Sequence, residues 1–98
     1  MTDSLAQALP LKCGATLPNR LGKSAMTEGL ADAKGRPTPA HNQLYKTWAE
    51  GGTGLLLTGN IMIDGRYLER AGNVVLENAD DLPLFEAWAK AAKSNDNH

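Results

Sequence analysis

Residues 51–60, Gly-Gly-Thr-Gly-Leu-Leu-Leu-Thr-Gly-Asn, restrict the fold more than any other stretch of the chain. A glycine pair closes a helical pattern, and a short apolar run then leads into small polar residues. Leu55 to Leu57 do not alternate with polar residues, which predicts a strand covered on both faces, as in a parallel sheet with helices outside. Gly59 follows at the carboxyl end of that strand. Without a side chain it lets the chain turn sharply, or lets another backbone or a flat ligand come close.

The segments around this strand supply its support. Residues 1–8 read as a loose tail, and Leu9 to Leu17 as two short extended pieces about Gly14, a small hairpin. Leu21 to Met26 is a second strand candidate. Thr27 to Pro37 carries Gly29, Gly35 and Pro37, the composition of a long loop after a strand, where functional groups concentrate. Thr38-Pro39 predicts a helix start, with the threonine hydroxyl capping free N–H groups and proline in the first turn, where no donor is needed. The helix is expected from Pro39 to about Glu50, with His41, Leu44, Tyr45 and Trp48 on one face and Gly51-Gly52 as its left-handed stop.

Beyond Thr58, residues 60–78 predict a second long loop with an extended piece at Val74 to Leu76. Asp80 or Asp81 is expected to cap a second helix with Pro83 in its first turn. Leu82, Phe85, Ala89 and Ala92 form its buried stripe, with Trp88 at the border. That helix is expected to end near Lys93, and Ser94 to His98 to form a turn that leads nowhere. Hairpin, strand, loop, helix, strand, loop, helix is the alternation of a parallel α/β architecture. Two such strands leave an open edge and an uncovered apolar face, so the expectation is the opening of a larger domain.

Composition narrows the function classes. With 42% hydrophobic and 21% charged residues the chain is of ordinary globular type, and a net charge of -1 gives no pull towards nucleic acid or anionic lipid. No run approaches the roughly 20 apolar residues of a membrane helix, and the start lacks a basic signal region, so a cytoplasmic location is expected. Cys13 is the only cysteine. It excludes an internal disulfide and is expected to be a small buried or half-buried residue. Two histidines without thiolate or carboxylate spacing make no metal site. Gly52-Thr53-Gly54 precedes its strand, whereas a dinucleotide-binding loop must follow one and open a helix. Glu28 reads as a solvated loop carboxylate, and Asp64 and Arg66 as a pair that shapes the second loop.

Four segments, in this order and spacing, carry a family resemblance: Gly14-Ala15-Thr16-Leu17-Pro18-Asn19-Arg20, Ser24-Ala25-Met26-Thr27-Glu28, the run Tyr45 to Asn60, and Phe85-Glu86-Ala87-Trp88-Ala89. The chain resembles the amino-terminal part of the Old Yellow Enzyme group of NADH:flavin oxidoreductases, from Leu11 to Lys93. The resemblance implies the hairpin and first two βα units of a truncated (β/α)8 barrel, with residues 9–98 a fragment of its FMN-binding domain and the active site at the carboxyl ends of the strands. Ala25, Met26 and Thr27 would lie along the flavin ring, with the Thr27 hydroxyl donating to a flavin carbonyl and so tuning its reduction potential. Asn60 would meet the flavin from the second strand, through its backbone more than its amide. Many members place proline at Ala25, and glycine or alanine at Asn60.

The implied activity is FMN-dependent hydride transfer from NAD(P)H to a small-molecule acceptor such as an electron-poor alkene. The family's glutamine on the third strand, its substrate-binding histidines and its phosphate site belong to later strands. This chain alone is therefore expected to be inactive. The alternative expectation is a non-catalytic remnant that works through association with another chain, or with itself, across its open sheet edges.

Overall fold

The computed structural model describes residues 4–98, so Met1 to Asp3 of the expected tail lie outside the described residues. A single 3-10 turn at Ser4–Ala6 comes first, and the Leu5 carbonyl accepts the Arg20 N–H at 2.8 Å. Strand β1 (Leu9–Pro10) pairs antiparallel with β2 (Thr16–Leu17), Leu9 facing Leu17. This is the expected hairpin, and Gly14 at φ +97 makes its turn in the left-handed region. Cys13 sits exposed in that turn, not buried as expected, because so short a hairpin has no interior to hold it.

Strand β3 (Gly22–Lys23) pairs in parallel with β4 (Leu55–Leu56), Gly22 facing Leu55 and Lys23 facing Leu56. Between them lies helix α1 (Pro39–Glu50), with the bounds expected from Thr38-Pro39 and the glycine pair. Its amino end is built differently from the expectation. The Thr38 hydroxyl donates to the Leu30 carbonyl at 2.9 Å, while the Thr38 N–H donates to His41 Nδ1 at 3.1 Å. The residue three places into the helix thus takes the N-cap amide, which is one half of a capping box. Gly51 keeps a helical φ of -72, and the left-handed turn falls on Gly52 at φ +103.

Part of the second long loop is sheet. Strand β5 (Ile61–Met62) pairs in parallel with β6 (Val74–Val75), so the extended piece expected at Val74 has a partner that the sequence reading left in a loop. Helix α2 (Leu82–Ala92) begins at Asp81, whose side chain makes no capping bond. Its buried residue is Trp88, 3% exposed, whereas Leu82 is 43% exposed. Trp88 is therefore the centre of the stripe and not its border. The two helices pack on one another, and Trp88, Tyr45 and Val74 form the core with Leu44, Trp48, Leu56, Ile61 and Phe85 around it. Tyr45 meets Trp48 and Trp88 edge-on at 5.1 and 5.3 Å between ring centroids, a favoured aromatic geometry.

Burial of the central strand falls short of the expectation. Leu55 and Leu56 are half-buried and Leu57 is 50% exposed, because β4 has a strand on one side only. On its other side it meets the end of the chain. His98 N–H donates to the Gly54 carbonyl at 2.9 Å and the Leu56 N–H donates to the His98 carbonyl at 2.7 Å. The asparagine turn therefore leads back to the sheet, and His98 stands where a third parallel strand would start. Asn97, 2% exposed, anchors the turn by donating to the Ala92 carbonyl at 2.6 Å, and Asn95 donates to the Ala49 carbonyl at 3.1 Å. A radius of gyration of 14.9 Å, against about 13 Å for a closed domain of this length, agrees with an open arrangement.

Candidate functional site

The parallel pair β3–β4 brings residues 24–28 and 57–60 side by side at one end of the sheet. Leu57 N–H donates to the Lys23 carbonyl at 3.1 Å, and beyond that bond the two backbones close on each other. A Cβ built on Gly59 would lie 2.8 Å from the Met26 carbonyl carbon, closer still to its oxygen, and 2.7 Å from Glu28 Oε1. Only glycine fits there. The close approach expected at Gly59 is made by the backbone of Met26.

Ala25, Met26, Thr27 and Asn60, the residues singled out for a flavin, therefore share one ledge. Ala25 is exposed, Met26 is 51% exposed, and Thr27 and Asn60 are half-buried. Leu57 is also half exposed, so this end of the sheet carries exposed apolar side chains beside the half-buried Thr27 and Asn60. These features fit the ring system of a flavin, which needs a flat apolar rest and a few polar contacts at its edge. The loops that follow the strands are joined as well. Ala31 N–H donates to the Gly72 carbonyl at 3.0 Å and Val75 N–H to the Gly35 carbonyl at 2.8 Å, so β6 ties the second loop to the first.

Behind the ledge lies a group of side chains that the sequence reading did not assemble. One oxygen of Glu28, Oε2, accepts the Gly59 N–H at 2.9 Å and also the Tyr45 hydroxyl. Lys23 Nζ donates to the Tyr45 oxygen at 3.2 Å and lies 5.1 and 5.0 Å from the ring centroids of Tyr45 and Trp48. Glu28 is thus no solvated loop carboxylate. It is half-buried where the ends of β3 and β4 meet α1.

Burial, reinforced by the Glu28 hydrogen bond and charge, raises the Tyr45 hydroxyl pKa well above its ordinary value. The hydroxyl therefore stays a donor. Burial lowers the Lys23 pKa and the Glu28 charge partly opposes that shift. The sequence did hold one signal for this group. A tyrosine on a buried helical stripe needs a partner for its hydroxyl, and Lys23 and Glu28 flank the strand end on which that stripe packs.

Other candidates separate from the ledge. His41 is fully buried on α1 against Trp88, with 4.7 Å between ring centroids, and burial lowers its pKa despite the charge of Glu28. It is a packing and capping residue. Arg66 and Asp64 pair at 2.8 Å, the arginine exposed and the aspartate half-buried, as expected for a loop-shaping pair. Among the described residues no cluster of three or more His, Cys, Asp or Glu side chains is placed to hold a metal ion, and no helix is long and apolar enough to cross a membrane.

No family model matches the chain. It is 40% identical over 86 residues to the NADH-dependent flavin oxidoreductase iliE of Hypocrea jecorina (strain QM6a), a match covering 87% of this chain and 21% of that protein. It is 42% identical over 89 residues to the NADH-dependent flavin oxidoreductase iccE of Talaromyces variabilis, covering 87% of this chain and 22% of that one. The chain thus spans about a fifth of the length of these curated relatives. Among solved structures, morphinone reductase superposes with a TM-score of 0.82 over 97% of this chain and 24% of its own, at 16% identity. At that identity the likeness concerns the fold, which is that of a (β/α)8 barrel.

Proposed function

We propose that this chain, which is similar to about a fifth of the length of NADH-dependent flavin oxidoreductases and superposes on the opening of a (β/α)8 barrel, supplies the first two βα units of an FMN site in a flavin oxidoreductase of the Old Yellow Enzyme family. The reaction is hydride transfer from NADH or NADPH to a small-molecule acceptor. The observation that carries this reading is the ledge itself. Two parallel strand ends are held so close at Met26 and Gly59 that no side chain intervenes, and this close approach supports a site at residues 25–27 and 60.

In this reading Ala25 and Met26 give the ring its apolar rest, and the Thr27 hydroxyl is the donor offered to a flavin carbonyl. Asn60 adds a backbone contact from the second strand. When bound, FMN supplies the hydride chemistry, since no side chain here can accept and pass on two electrons. A hydrogen bond from Thr27 stabilises negative charge on the reduced ring and so raises its potential. Residues from the rest of the barrel would bind the acceptor and the phosphate. The isolated 98 residues are expected to show no flavin turnover.

The test is a chimaera in which residues 9–98 replace the matching segment of the Hypocrea jecorina relative. The expected product is a folded barrel that retains flavin absorbance and oxidises NADH. Thr27→Val should lower its flavin reduction potential while leaving flavin bound. A chimaera that folds, by circular dichroism and gel filtration, yet holds no flavin would overturn the proposal.

A further inference from the structure

We propose that Glu28 is a positioning residue for the ledge: its carboxylate clamps the end of β4 to the end of β3 and to α1, and so sets the surface on which the cofactor rests. The cofactor half of this inference rests on the flavin reading above; the clamp itself does not. Three observations converge on it. A single oxygen, Oε2, accepts both the Gly59 N–H and the Tyr45 hydroxyl, while Oε1 stands 2.7 Å from where a Gly59 side chain would begin. Tyr45 is fully buried and its oxygen is held from the other side by Lys23 Nζ at 3.2 Å. Glu28 is two residues beyond Met26, the residue whose backbone lies against Gly59.

The physical effect is on a peptide plane. With its N–H committed to Glu28, the Thr58–Gly59 peptide cannot rotate, and because a trans peptide is planar the Thr58 carbonyl points away from the carboxylate. Hydrogen bonds to a charged acceptor are about twice as strong as neutral ones, so this contact is a firm one for a loop. It also explains the chemistry of the neighbours. Tyr45 must remain a donor for the clamp to hold, and burial together with Glu28 keeps its proton in place. Glu28 Oε2 is already taken by the Gly59 N–H and the buried Tyr45 hydroxyl, which argues against a role as a base towards substrate and in favour of action through Gly59.

The experiment compares Glu28→Ala and Glu28→Gln with the wild type in two settings. In the 98-residue chain, NMR measures exchange of the Gly59 amide. It is expected to speed up by on the order of tenfold or more in Glu28→Ala. Glu28→Gln, whose amide oxygen can still accept one N–H, should restore part of the protection. In the barrel chimaera, FMN titration of the apoprotein should show dissociation constants that follow the same order, weakened by about tenfold in Glu28→Ala and less in Glu28→Gln. Glu77→Gln serves as a control, because Glu77 makes a comparable bond, 3.0 Å from the Gly65 N–H, in an exposed loop. It should leave FMN binding unchanged.

An unchanged Gly59 exchange rate in Glu28→Ala would overturn the clamp. Faster exchange with unaltered FMN affinity would overturn the positioning role and leave Glu28 as a structural contact. A wild-type chimaera without FMN would instead sink the flavin reading, while the exchange measurement on the chain alone still decides the clamp.

Discussion

Replacing Gly59 with alanine tests the contact on which the ledge depends, and Gly22 supplies an internal control in the paired strand. At Gly22 an added Cβ meets nothing nearer than the Leu55 carbonyl oxygen at 3.9 Å. Alanine there should be tolerated, with a gain of about 0.4–1 kcal/mol from a less flexible unfolded chain. At Gly59 the same methyl group runs into the Met26 carbonyl and into Glu28, and two of the three nearest atoms are backbone. Backbone cannot rotate aside. The strand ends must part, which costs about 1–3 kcal/mol as overpacking, and the 2.9 Å bond from Gly59 N–H to Glu28 is lost with them. A hydrogen bond to a charged group contributes about 1.5–3 kcal/mol, so the combined loss is about 2.5–6 kcal/mol.

Urea unfolding followed by tryptophan fluorescence measures this, since Trp48 and Trp88 both pack on Tyr45. With a slope of about 1 kcal/mol per molar urea for a chain of this size, the Gly59→Ala midpoint should fall by about 2.5 M or more, to the point of unfolding in water. The Gly22→Ala midpoint should hold or rise. The unfolded-state term is common to both substitutions, so their difference isolates the close approach. Midpoints that agree within about 0.5 M would refute it.

Two further outcomes follow from the packing around α1. Burial lowers the His41 pKa below its ordinary 6.5, so the unfolded chain takes up the proton first as pH falls. Stability should therefore be full above that value and decline below it, by at most about 1.4 kcal/mol per pH unit, until the folded form also titrates. His41→Gln keeps an acceptor for the Thr38 N–H and should flatten this dependence in urea midpoints measured between about pH 7 and pH 5; an unaltered slope would assign it to other groups. Asn97→Ala removes the bonds to the Ala92 carbonyl and the Asn95 N–H, at 2.6 and 3.2 Å, and should cost about 1–2 kcal/mol. Hydrogen exchange at the His98 amide should accelerate in the same variant, and protection equal to wild type would show that the turn is held by other contacts.

Helix α1 was legible to its ends because its signals are local: a proline at the first position, a glycine pair after the last, and an apolar stripe at helical spacing. The hairpin and the parallel order of β3 and β4 were legible for the same kind of reason, and the use of Gly59 could be read as a close approach without knowing what approaches. Misreadings arose where a residue's partner lies far along the chain. Ile61-Met62 is too short a run to declare itself a strand until Val74-Val75 lies beside it. Trp88 became the centre of its stripe because Tyr45 and His41 of the other helix meet it there. Ser94 to His98 was legible as the turn after which a next strand should begin, and the bonds of His98 to the Gly54 carbonyl and the Leu56 N–H, some 40 residues back, put it beside β4.

The sequence by itself determined the hairpin, the two helices, the parallel order of β3 and β4 and the family resemblance, because each rests on local spacing or on motifs in fixed succession. The tertiary structure alone decided what Glu28 does. A carboxylate in a polar loop looks solvated until the fold brings Tyr45, 17 residues away, and Gly59, 31 residues away, onto the same oxygen. Hydrogen bonds between groups so far apart leave no periodicity in the sequence, since only the paired strands and the packed helix bring their atoms within reach.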